Sequence, residues 1–220
     1  MYRPVGSHQA ARSRQVLGLE ATDYFLHVGN LSMKKNLAMA VEAFLNFKRR
    51  TGFDGVFVLA GASYPKGRDE RFFDLIATPE ARGAVTLTGH VPQEHLAGLY
   101  AGALAFLFPS LHEGFGLAPL EAMACGAPVI AHAGEAVREV VGEAGILLDS
   151  ATDTGEWSRA MERVAYDSAL RQRLSEAGLI RASRFTGDRT ARETLGVYEE
   201  VARTSRSTVK QRSRSASPVP

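Results

Sequence analysis

The six residues Ala103-Leu104-Ala105-Phe106-Leu107-Phe108 are apolar without a break, and they constrain the fold more than any other segment. A half-exposed strand alternates apolar and polar side chains, whereas a short continuous run fits a strand covered on both faces, as in a parallel sheet between helices. Five further runs share its length and bias: Tyr24-Phe25-Leu26-His27-Val28-Gly29, Val56-Phe57-Val58-Leu59-Ala60-Gly61, Val85-Thr86-Leu87-Thr88-Gly89, Pro128-Val129-Ile130-Ala131 and Gly145-Ile146-Leu147-Leu148. Segments of helical character separate most of them, at 37–47 (Leu37, Val41, Phe44 and Leu45), 69–76, 93–101 and 118–124. Longer helices are expected at 154–166, 168–182 and 186–202. Short buried strands alternating with helices predict an α/β fold with a doubly wound, Rossmann-like parallel sheet that binds ligands at the carboxyl ends of its strands.

The sheet domain is expected to span residues 23–202. Residues 1–22 read as a linker with one helical turn near Val16, and a loop with Pro65 and Gly67 follows the second strand. Residues 203–220, rich in Ser, Arg and Thr without periodicity, read as a disordered basic tail. That tail holds Arg203, Arg206, Lys210, Arg212 and Arg214, so the net charge of +2 hides a mildly acidic body and offers no case for a nucleic-acid partner. Cys125 is the only cysteine, which excludes an intrachain disulfide and a cysteine-based metal site. No apolar run approaches the ~20 residues of a membrane span. A cytoplasmic protein is the default, with a peripheral position at the inner membrane face as the variant.

The stretch Pro109-Ser110-Leu111-His112-Glu113-Gly114-Phe115-Gly116-Leu117-Ala118-Pro119-Leu120-Glu121 follows the most buried strand. Pro119 suits the first turn of a helix, and Gly114 and Gly116 let backbone approach a ligand. Unpaired N–H groups from about Phe115 to Leu117, with the positive end of the helix dipole, then favour a phosphate. Glu113 and Glu121 are expected to flank that anion pocket and to accept hydrogen bonds from two sugar rings. The loop after the first strand, Gly29-Asn30-Leu31-Ser32-Met33-Lys34-Lys35-Asn36, brings two lysines to the same edge of the sheet, where they could neutralise a diphosphate leaving group. It matches neither the dinucleotide fingerprint nor a P-loop. At the end of the third strand, Gly89-His90-Val91 offers backbone groups to a base edge and an apolar side chain to its face. His90, His112 and His132 show no metal-ligand spacing, so no metal and no cofactor are expected.

On these residues the chain resembles the C-terminal domain of the group 1, or family 4, retaining glycosyltransferases of the GT-B fold. The paired-glutamate motif is Glu113-Gly114-Phe115-Gly116-Leu117 through Glu121, continued by Ala122-Met123-Ala124-Cys125-Gly126-Ala127-Pro128-Val129-Ile130, and Gly29 with Lys34-Lys35-Asn36 is similar to the basic phosphate loop. The resemblance implies a nucleoside-diphosphate sugar as donor, with Glu113 on the hexose, Glu121 on the ribose, Lys35 on the diphosphate and the Gly89–Val91 turn on the base. It implies Glu113 and Lys35 as catalytic residues, and Gly29, Asn30, Lys34, His90, Val91, Gly114, Phe115, Gly116 and Leu117 as further donor contacts. The partner would be a sugar or lipid-linked acceptor held by a separate acceptor domain. Where many members carry Arg in the phosphate loop this chain has Asn30 and Lys34, and residues 131–136 lack the usual Ser-Asn and Pro. A binding module beside a separate acceptor domain, a remnant without activity, and a nucleotide-sugar epimerase or hydrolase are the competing readings.

Overall fold

The computed structural model describes residues 2–20, 22–62 and 68–215, with side chains through Thr204. The chain forms two units, Met1–Ala182 and Ser183–Pro220. In the first, six strands make one wholly parallel sheet: β1 (Tyr24–Val28), β2 (Val56–Ala60), β3 (Val85–Gly89), β4 (Ala105–Phe108), β5 (Val129–His132) and β6 (Ile146–Leu148). Their order is β3-β2-β1-β4-β5-β6. The helices of this unit are α1 (Ser7–Val16), α2 (Leu37–Thr51), α3 (Glu70–Ile76), α4 (Gln93–Ala101), α5 (Leu117–Ala124), α6 (Glu135–Val141), α7 (Thr154–Tyr166) and α8 (Ser168–Ala182). The doubly wound α/β sheet is therefore as the apolar runs predict.

The continuous apolar run behaves as expected of a central strand. Every residue of β4 is buried, and β4 pairs with β1 on one side and β5 on the other. On one face of the sheet, Phe25, Phe44, Phe47, Phe53 and Phe57 pack ring against ring, with Phe47 and Phe53 centroids 4.9 Å apart. Helix α2 leans on α7. There Trp157 is fully buried, and its indole N–H donates to Ser150 O at 3.1 Å, so the ring enters the core without an orphaned donor.

Strand order fixes where a ligand can sit. The chain winds outward from β1 through β2 to β3, crosses back to β4, and winds the other way through β5 to β6. The β1 and β4 loops therefore diverge and leave a crevice at the carboxyl ends of the two central strands.

Three features differ from the sequence expectations. Residues 1–22 are more than a linker: α1 has ten residues and packs on α4, where Ser13 is 1% exposed against Gly98. A Cβ at Gly98 would lie 2.3 Å from Ser13 Oγ, so small residues rather than an apolar stripe make this contact. Arg14 pins the turn that follows, donating from Nε to Leu19 O at 3.0 Å and from Nη2 to Glu20 O and Thr22 O. Helix α6, which follows β5, was not anticipated from the sequence. In the second unit, α9 runs Gly187–Ser215, past Ala202 and through most of the segment read as disordered. The loop expected around Pro65 and Gly67 lies outside the described residues. Among the described residues no helix is long and apolar enough to cross a membrane.

Candidate functional site

The β1 loop is tied down by backbone. Gly29 N–H donates to Ala60 O at 2.9 Å, Leu31 N–H to Ala62 O at 3.1 Å, and residues Met33–Lys35 form one 3-10 turn that ends at Asn36 with a left-handed φ of 53°. Asn tolerates that conformation better than most side chains, and here its Nδ2 also donates to Ala151 O at 2.7 Å. The turn fixes the backbone that carries Lys34 and Lys35, and Leu111 N–H donates to Lys34 O at 2.9 Å, which stitches the β1 loop to the β4 loop.

Across that seam Lys35 Nζ meets Glu113 Oε1 at 2.5 Å, with the side chains 13% and 19% exposed. The ammonium also lies 5.2 Å from the centroid of the Phe108 ring, a favourable cation–π position. Gly116, at φ 98°, caps α5, whose first N–H groups lack partners within the helix. A cleft of about 380 Å³ results, lined by Gly29, Asn30, Lys34, Lys35, Glu113, Phe115, Gly116 and Leu117, together with Val28, Phe108 and Ala118. Two ammonium groups and a helix N-terminus at one wall favour an anion, and Glu113 is an acceptor at its border. A second cleft of about 490 Å³ adjoins it across Glu113, lined by Ser110, His112, Gly114, Glu135 and Glu139 among others, so Gly114 faces this neighbour.

Eight of the predicted site residues thus line one cleft, and four do not. His90 is exposed at the end of β3, while the Val91 side chain is only 5% exposed and is packed inward, unable to cover the face of a base. Both stand two strands from β1, since β2 lies between. Glu121 is also displaced from expectation. Helix α5 starts at Leu117, so Glu121 falls in its second turn, where its carboxylate accepts a hydrogen bond from Tyr100 Oη at 3.3 Å. Burial raises its pKa, and the neighbouring Tyr100 and Tyr2 phenols partly offset that rise.

Sequence reasoning missed His27, which is fully buried directly beneath the site. Its Nδ1 lies 3.0 Å from Leu107 O, and because a carbonyl only accepts, Nδ1 carries the proton and Nε2 presents a bare lone pair. That Nε2 has no hydrogen-bond partner and would stand 3.3 Å from a Cβ placed on Gly29. Burial lowers the His27 pKa from 6.5 to about 4, with the Lys35 charge adding to the depression and the Leu107 hydrogen bond opposing it. The folded protein therefore holds His27 neutral at a pH where the unfolded chain would take up a proton. Its contribution is intact above pH 6.5 and is lost progressively as pH falls toward 4, a decline of about 3 kcal/mol. Urea unfolding at stepped pH is expected to show this decline in the natural chain and to lose most of it in His27→Leu.

Comparison with known proteins identifies the family. The sequence pattern of the family described as Glycosyl transferases group 1 matches residues 9–181. The D-inositol 3-phosphate glycosyltransferase of Acidothermus cellulolyticus is 33% identical over 220 residues, covering 96% of this chain and 48% of that protein. The O-antigen chain mannosyltransferase B of Escherichia coli is 31% identical over 176 residues, covering 80% of this chain and 45% of that protein. Among solved structures, Anabaena HepE in complex with UDP and glucose superposes with a TM-score of 0.78 at 19% identity, covering 90% of this chain and 53% of that one, a likeness of fold. The chain thus spans about half the length of these curated relatives. With its parallel sheet, its crevice between β1 and β4 and a match over most of its length, this chain belongs to the group 1 glycosyltransferases.

Proposed function

We propose that the chain is the donor-binding half of a hexosyltransferase, which holds a nucleoside-diphosphate sugar in the Lys35–Glu113 cleft for transfer of the hexose to an acceptor. One observation carries the reading: two ammonium groups and the α5 N-terminus converge on one side of a cleft whose other border is a carboxylate ion-paired to one of those ammoniums. Charge grows on the diphosphate as the glycosidic bond breaks, so cations and N–H groups fixed in advance lower the barrier to departure. Lys35 has three N–H donors and uses one on Glu113, which leaves others for phosphate oxygens. Glu113 keeps free lone pairs to accept from sugar hydroxyls, and retention at the anomeric carbon is the outcome carried over from the resemblance. The acceptor is held by a second half of the kind that the longer relatives have room for.

The test is calorimetric titration of the purified chain with UDP, GDP and ADP and their common sugars. One nucleotide is expected to bind saturably, and Lys35→Ala to weaken it by at least about tenfold, since hydrogen bonds to charged groups are worth about 1.5–3 kcal/mol. Affinity for every nucleotide that ignores Lys35→Ala would overturn the placement of the diphosphate.

A further inference from the structure

His27 is a buried polar group that the donor reading does not use, and its ring cannot turn. Its Nδ1–H donates to Leu107 O at 3.0 Å, its face stacks on Phe106 with centroids 6.1 Å apart and planes 9° from parallel, and Phe106 stacks in turn on Phe108. Two constraints on one ring fix the direction of Nε2. That lone pair is fully buried and has no hydrogen-bond partner among the described residues, which is a costly state for an acceptor. It faces Gly29, where an added Cβ would stand 3.3 Å from Nε2 and 3.7 Å from Lys35 Cε. A single methyl group would touch both. The imidazole edge and the lysine stem therefore come to one spot, the first from β1 and the second from the 3-10 turn, and the glycine keeps that spot open.

An ammonium has three N–H donors. Lys35 places one on Glu113 Oε1 at 2.5 Å, and the donor reading gives another to the diphosphate, which leaves one. We propose that His27 is a positioning residue for Lys35, whose third N–H is accepted by the Nε2 lone pair, so that three acceptors hold the ammonium while it faces the diphosphate; this rests on the donor reading above. The bond requires rotation only about the terminal bonds of the lysine side chain, because Cε already stands one methyl's breadth from the ring edge. Phe108 connects the two partners, since it stacks with Phe106 beside the histidine and carries the ammonium 5.2 Å from its own centroid. A neutral acceptor suits this place. A second carboxylate beside Lys35 would cancel the charge that the diphosphate needs, whereas an uncharged imidazole directs the ammonium and leaves its charge intact. Burial supplies that neutrality by lowering the His27 pKa to about 4.

The experiment titrates the natural chain, His27→Leu, Lys35→Met and the double variant at neutral pH with UDP, GDP and ADP and with UDP-glucose, GDP-mannose and ADP-glucose. His27→Leu is expected to weaken the nucleotide that binds by about three- to tenfold in the natural background. In the Lys35→Met background the same change is expected to alter affinity by less than about twofold, because the ring acts only through the ammonium. A merely structural role would weaken both backgrounds by the same factor. If His27→Leu weakens both alike, or neither, while Lys35→Met still weakens binding, the positioning role is overturned and the donor reading stands. If the natural chain binds none of the six nucleotides, the donor reading fails and this inference fails with it. A second measurement needs no substitution at His27 and decides the matter even where His27→Leu does not fold. Nitrogen NMR of the imidazole is expected to show the Nε2 signal of the natural chain moving toward that of a hydrogen-bonded lone pair as the nucleotide saturates it, and the signal of Lys35→Met staying in place. A signal that stays in both proteins, or moves alike in both, overturns the proposal.

Discussion

Gly61→Ala is expected to destabilise the protein by at least about 3 kcal/mol, or to prevent folding, although it adds a single methyl group. A Cβ built at Gly61 falls 1.8 Å from Gly29 O and 2.7 Å from Gly29 C, and Gly61 has a φ of 157°. Backbone cannot give way as a flexible side chain would, so β2 and the start of the β1 loop must separate. Two hydrogen bonds hold that junction, Gly29 N–H to Ala60 O and Leu31 N–H to Ala62 O, while Gly61 N–H to Gly89 O ties the same end of β2 to β3. Their loss would add to the steric cost, which places the substitution in the large-effect tail of point mutants. The consequence reaches the site, because the displaced loop carries Lys34 and Lys35. Gly114→Ala is the control: nothing lies within 4 Å of a Cβ there, and its stability is expected to stay within about 0.5 kcal/mol of the natural chain. Thermal or urea unfolding of the two variants checks the contrast, and equal stabilities would refute it.

The same glycines show what the sequence could reveal. Runs that end in Gly at positions 29, 61 and 89 are visible as a repeated pattern, and the structure gives them different causes: the Gly29 backbone leaves no room for a Cβ at Gly61, whereas Gly89 has open space and a left-handed φ of 66°. The β1–β4 crevice was legible too, because a buried parallel strand followed by a glycine-rich helix start leaves few places for a ligand. What escaped notice has no period. Helix α1 packs through Ser13 against Gly98, a contact between small residues that leaves no apolar stripe. The direction of Glu121 depends on Tyr100, which reaches it only through tertiary packing, so the spacing from Glu113 located the residue but not the partner of its carboxylate. His27 reads as one more residue of an apolar run, and only the fold reveals an unpartnered ring nitrogen beneath Gly29.

The Lys35–Glu113 pair should separate stability from ligand binding in a way that a purely structural ion pair would not. Both side chains are mostly buried, so removing one strands the other as an unpaired charge, whereas removing both leaves none. Lys35→Met and Glu113→Gln are each expected to destabilise the protein by about 1–3 kcal/mol, and the double variant by less than the sum of the two, with a coupling of about 1–2 kcal/mol. Binding should follow another rule. Lys35→Met removes the ammonium proposed for the diphosphate, so affinity for the nucleoside diphosphate and for its sugar should fall together, by about tenfold or more. Glu113→Gln should leave the diphosphate affinity near that of the natural chain while lowering the affinity for the nucleotide sugar, because the amide presents one fewer acceptor oxygen to the hexose hydroxyls. The double variant would then lose less stability than the two changes summed, without regaining the sugar. Recovery of nucleotide-sugar binding in the double variant would show that the pair serves only to hold the two loops together, and the assignment of Glu113 to the hexose would have to be withdrawn.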